Sequence, residues 1–89
     1  MAFEYPKSAM NVGHSLKQFV ERDKNLRNKR GENVLIGDVE KIIAEECDIS
    51  YHTIKQIKKG SMIPSLFIAL KLAKYFNVHV DDIFFLKDW

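Results

Sequence analysis

With 89 residues, 46% of them hydrophobic and 29% charged, the chain has the composition of one small globular domain, which excludes a disordered segment and leaves no room for a second folded unit of ordinary size. The formal net charge of +2 says little about partners, but residues 17–30 and 50–62 are rich in Lys and Arg while residues 31–49 are acidic, and such blocks mark either a solvated face or a surface for an anionic partner. No apolar run approaches the roughly 20 residues of a membrane helix, the opening MAFEYPKSAM lacks the pattern of a secretory signal, and the lone Cys47 has no partner for an internal disulfide, so the expectation is a cytoplasmic protein without membrane contact.

Gly13, Gly31, Gly37, Gly60, Pro6 and Pro64 divide the chain into helix-sized pieces. Leu16, Phe19, Val20 and Leu26 recur at helical spacing and predict an amphipathic helix over 13–30. The stretch GENVLIG, 31–37, reads as a connector whose apolar middle packs inward. Val39, Ile42, Ile43 and Cys47 form the stripe of a short helix with Asp38 as its N-cap, in which Cys47 serves as a small buried hydrophobe. Ser50 caps the next helix, Ile54 and Ile57 face inward, and Gly60 stands where a helix end favours a left-handed residue. Pro64 and Ser65 open the most apolar helix, with Leu66, Ala69, Leu70, Ala73 and Phe76 on one face and Phe67, Ile68 and Leu72 widening it until Asn77; that breadth predicts a central position. A last short helix is predicted around Val80, Ile83 and Phe84, with Asp81 and Asp82 at the positive end of its dipole. The expected fold is all-α, five helices and no sheet.

Two short helices joined by a turn of about three residues form a helix-turn-helix, which presents its second helix to a DNA major groove about 12 Å wide. Ala44 is the small residue where the two helices cross, Ile49 the apolar plug of the turn, and Asp48 the candidate for positive φ. With Ile54 and Ile57 turned in, Ser50, Tyr51, His52, Lys55, Gln56 and Lys59 point outward. Cationic and hydrogen-bonding groups with no carboxylate among them suit base edges and phosphates.

The run IIAEECDISYHTIKQIKKG, followed by IPSLFIALKLAKYFNVHVDDIF, resembles the Cro and lambda-repressor type of helix-turn-helix, the XRE family, over about residues 39–84. The resemblance implies a five-helix lambda-repressor-like domain over 13–85 with its helix-turn-helix at 38–60, preceded by an arm, 1–12, and followed by a tail, 86–89. It implies sequence-specific binding of double-stranded DNA, with base readout by Tyr51, His52 and Gln56, and Lys55 beside them. Phosphate contacts fall on Ser50, Lys59 and the backbone around Gly60 and Ser61. Two positions depart from the family pattern: Glu40 stands where Gln usually meets a phosphate, and Asp48 where Gly is usual. The connection from the first to the second helix is longer, and its basic cluster Arg27, Lys29 and Arg30 is either placed along the DNA backbone, offsetting Glu40, or a solvated helix end.

His14, His52 and His79 are dispersed and no nucleophile motif, phosphate-binding loop or paired metal-ligand spacing is present, so neither catalysis nor a metal or other cofactor is expected, and no small-molecule ligand. The functional reading is a transcriptional regulator, a repressor that occupies an inverted-repeat operator as a homodimer. The alternatives are the DNA-binding antitoxin of a toxin pair, or an adaptor that uses the same fold for protein contact. For the dimer, Phe85, Leu86 and Trp89 form an apolar cluster that a small core leaves uncovered. The other possibility is that the tail folds back on the domain.

Overall fold

The computed structural model describes residues 12–87. Strand β1 (Val12–His14) is followed by α1 (Leu16–Lys29), α2 (Ile36–Cys47), α3 (Tyr51–Lys59), α4 (Leu66–Phe76), α5 (Val80–Ile83) and strand β2 (Phe84–Leu86).

The first four helices end in one way. Gly31, Asp48, Gly60 and Asn77 take φ of 86°, 54°, 87° and 57°. In each case the left-handed residue donates to the carbonyl three residues back, and the next residue donates to the carbonyl five back: Glu32 to Arg27, Ile49 to Ala44, Ser61 to Gln56 and Val78 to Ala73. This double closure satisfies carbonyls that a helix end otherwise leaves open. Asp48 adopts the positive φ expected of it, at the cost a non-glycine residue bears there. At the other ends Ser50 and Ser65 accept from the N–H groups of Thr53 and Ile68. Asp38 is not the N-cap of α2. The helix begins at Ile36, which puts Asp38 in its first turn, where the carboxylate accepts from Leu35 N–H at 2.9 Å.

Leu16, Val20, Val39, Ile43, Ile54, Ile57, Leu72 and Ile83 are fully buried and form one core with Ala44, Cys47 and Ala73. The thiol of Cys47 is raised in pKa by burial and points at the Lys71 carbonyl, 3.7 Å away, as a structural cysteine should. Helix α4 is less central than its composition predicts. Its Ala69, Leu72 and Ala73 are buried, whereas Leu66, Phe67 and Leu70 are 71%, 67% and 50% exposed, because α2 and α5 cover one side of it.

Two corrections to the sequence reading concern α1 and the termini. The connection between α1 and α2 is only Arg30 to Leu35, and Asn28 clamps it by accepting from Val34 N–H at 2.7 Å and donating to Val34 O at 3.2 Å. The described residues also contain a two-stranded antiparallel ribbon, with Val12, Gly13 and His14 opposite Leu86, Phe85 and Phe84. The ribbon takes in Val12 and Leu86, which the sequence assigns to the arm and the tail. Gly13 allows its close approach, since a Cβ there would stand 2.5 Å from Phe85 Cε2.

His14, on β1, is partly buried, its Nδ1 has no hydrogen-bond partner, and burial together with the charge of Lys87 lowers its pKa from the ordinary 6.5. A base whose pKa is lower folded than unfolded loses stability on protonation of the unfolded chain. Stability from this site is therefore complete above pH 6.5 and falls as the pH drops through that value. Urea unfolding between pH 8 and 5 should show the decline, and His14→Phe should remove its part of it; an unchanged slope in the variant excludes His14 as the source.

Candidate nucleic-acid interface

Helix α3 is held from below by Ile54 and Ile57, so its other side faces solvent. No acid occurs between Ser50 and Met62, and Lys58 and Lys59 occupy its last turn, where cations complement the helix dipole. His52, Lys55 and Lys59 are exposed, and Gln56 is partly so. Gln56 and His52 are neighbours one turn apart, Nε2 to Nε2 at 3.1 Å. The Ser61 hydroxyl donates to Gln56 Oε1, so the end of the helix and the loop after it act as one unit.

Tyr51 is half-buried, its hydroxyl 3.6 Å from where a Cβ on Gly37 would be, and two ammonium groups approach its ring, Lys41 at 5.5 Å and Lys55 at 5.3 Å from the centroid. Cation–π attraction keeps those charges near the start of α3. Lys41 escaped the sequence reading because it sits in an acidic block; only its place one turn into α2 could have indicated it.

Glu40 is the largest departure from expectation. It is 3% exposed, and Lys58 Nζ approaches its Oε2 to 3.0 Å. The carboxylate expected to repel a phosphate is thus turned into the seam between α2 and α3, where Lys58 is its ion-pair partner by proximity although the approach lacks hydrogen-bond geometry.

The phosphate candidates divide. Lys59 is exposed and forms no ion pair among the described residues; Lys29 is exposed, and Arg30 is exposed with a surface contact to Glu32 at 3.3 Å. Arg27 is otherwise engaged: only 19% exposed, it binds Asp23 and Glu32, each at 3.1 Å, and donates to the Tyr75 hydroxyl at 3.2 Å. Tyr75 in turn donates to Asp23 at 2.6 Å. These partners raise the guanidinium pKa and tie α1 to α4, so Arg27 holds the fold. The N–H groups of Gly60 and Ser61 already donate to Ile57 and Gln56 carbonyls, and the Ser50 hydroxyl receives Thr53 N–H at 3.0 Å. Ser50 and Ser61 keep hydroxyl edges open to an anion, whereas Gly60, its N–H already used and without a side chain, offers no donor. Phe85 and Leu86 lie on β2, 43% and 51% exposed, and Trp89 lies outside the described residues. Among the described residues no cluster of His, Cys, Asp or Glu is disposed for a metal ion, and no helix is long and apolar enough to cross a membrane.

Residues 43–83 match the family described as Helix-turn-helix. The chain is 44% identical over 46 residues to an uncharacterized HTH-type transcriptional regulator of Methanocaldococcus jannaschii, and 35% identical over 46 residues to one of Bacillus subtilis; each match spans 52% of this chain and 70% of the relative. The five helices of the structure and these matches concur: the chain belongs to the XRE-type helix-turn-helix family of transcriptional regulators, with the all-α, lambda-repressor-like fold.

Proposed function

We propose that the protein binds double-stranded DNA sequence-specifically through the outer face of α3, and represses transcription by occupying its operator in the cytoplasm. The observation that carries this reading is the face itself: His52, Lys55, Gln56 and Lys59 outward, no carboxylate from Ser50 to Met62, and the nearest acid on α2, Glu40, folded away onto Lys58. Base readout is assigned to His52, Lys55 and Gln56, with Tyr51 the least free of the four candidates. Phosphate contact is assigned to Lys59 and to the hydroxyl edges of Ser50 and Ser61, with Gly60 shaping the turn between Lys59 and Ser61 and with Lys29 and Arg30 as outlying cations.

Selection from random duplexes tests the reading. The wild type should enrich a defined sequence with an affinity that falls steeply with salt, as released counterions require. Lys59→Ala should weaken binding to every duplex about equally and flatten the salt slope by about one ion. Equal affinity for all duplexes would reject specific readout.

The working unit is proposed to be a two-fold dimer joined at β2. Among the described residues the ribbon has two strands, whose outer edges are unpaired there, and Phe85 and Leu86 present apolar surface beside that of β2. Two copies would place their recognition helices about 34–36 Å apart on an inverted repeat. Sedimentation of the wild type should give a dimer and of Leu86→Lys a monomer; a monomeric wild type overturns the dimer without touching the readout.

A further inference from the structure

Gln56 has both ends of its amide engaged before any DNA is present. Its Nε2 meets His52 Nε2 at 3.1 Å, and its Oε1 accepts from Ser61. With the amide assigned in this orientation its nitrogen donates, which makes His52 Nε2 the acceptor and assigns the neutral ring's proton to Nδ1. The amide offers two N–H groups and two oxygen lone pairs. One of each is taken, which leaves one donor and one acceptor, the complement of the adenine edge with its N7 and N6 groups.

We infer that His52 and Ser61 are positioning residues that fix which end of the Gln56 amide donates and which accepts, so that the base preference of α3 is set in the free protein and changes with the charge on His52. This rests on the DNA-binding reading above. A protonated imidazole has no acceptor nitrogen. Its Nε2–H would face the Gln56 amide N–H, donor against donor, and the contact is relieved by turning the amide over. Oε1 then accepts from His52, and Nε2 donates to Ser61, whose hydroxyl accepts as well as it donates. The turned amide presents donor and acceptor to the groove in the opposite order. The charged groups facing His52 are Lys55, Lys58 and Lys59 from its own helix and Glu40 from α2, which line one cleft with it. The acid among them is held by Lys58.

The test uses the full chain, with selection from random duplexes at pH 8 and pH 5.5 and the side-chain amide resonances of Gln56 followed in the free protein over the same range. In the wild type the preferred base at one position should change between the two pH values, and the Gln56 amide resonances should move together with the His52 ring signals. Ser61→Ala should lose about tenfold discrimination at that position while preferences elsewhere persist, and Ser61→Thr should restore it. A Ser61 that serves only as a phosphate contact would lower affinity for all duplexes and leave the preference intact, which overturns the inference. Gln56 resonances indifferent to His52 overturn it as well. Should the wild type select no sequence, the DNA-binding reading fails, and the amide resonances of the free protein still decide whether His52 governs Gln56.

Discussion

Lys58→Ala is expected to lower the unfolding free energy by about 3 kcal/mol, the cost of leaving a buried charge without its partner, whereas Lys59→Ala on the exposed side of the same helix should stay within about 0.5 kcal/mol. Lys58 is one-quarter exposed at its side chain and Glu40 only 5%, so the two halves of the pair are not equivalent. Removing the lysine strands a carboxylate in the α2–α3 seam. Removing the acid, as in Glu40→Gln, leaves an ammonium that still reaches water, and should cost less. Replacing both, Glu40→Met with Lys58→Met, should recover most of the loss, since apolar groups of similar volume often substitute for a buried pair at little cost. Urea unfolding of the wild type, Glu40→Met, Lys58→Met and the double variant closes a double-mutant cycle. A Lys58→Ala protein as stable as the wild type would mean that water enters the seam and that the pair does not hold α3 in place.

Ile57→Ala is expected to be the most damaging single change in α3, at about 2–5 kcal/mol. For a domain of this size that lowers the melting temperature by roughly 10 °C or more. Ile57 is fully buried and stands between two parts of the molecule: it belongs to the central core, and with Val12, His14, Met62 and Phe84 it lines a small cleft of about 30 Å³ under the ribbon. The deleted atoms would enlarge a void bounded by both α3 and the β1–β2 ribbon, and neither can move in without giving up backbone bonds. Ile57→Val should retain most of the stability, with a loss of about 0.5–1.5 kcal/mol. Thermal unfolding followed by circular dichroism distinguishes the series, and an alanine variant melting within a few degrees of the wild type would place Ile57 outside the cooperative core.

The sequence by itself determined the helices and most of their ends, though not the start of α1 or of α2. Their signals are local: apolar residues at i, i+3 and i+4 in α1 and α2 and at i and i+3 in α3, serine hydroxyls that meet an N–H three residues on, and Gly60, Asp48 and Asn77 taking the left-handed conformation. The same periodicity that buries Ile54 and Ile57 turns Lys55 and Lys59 outward, so the candidate DNA-facing surface could be read from a single helix. Tertiary structure alone decided the rest, because each remaining feature joins residues far apart in the chain. Val12 and Leu86 pair across almost the whole sequence, and strands of three residues carry no alternation to announce them. Arg27 reads as one more cation in a basic run until the fold brings Tyr75 to it. Glu40 reads as an acid facing phosphate until the crossing of α2 and α3 sets Lys58 against it, and burial with a partner, which no local pattern encodes, reverses what the charge does.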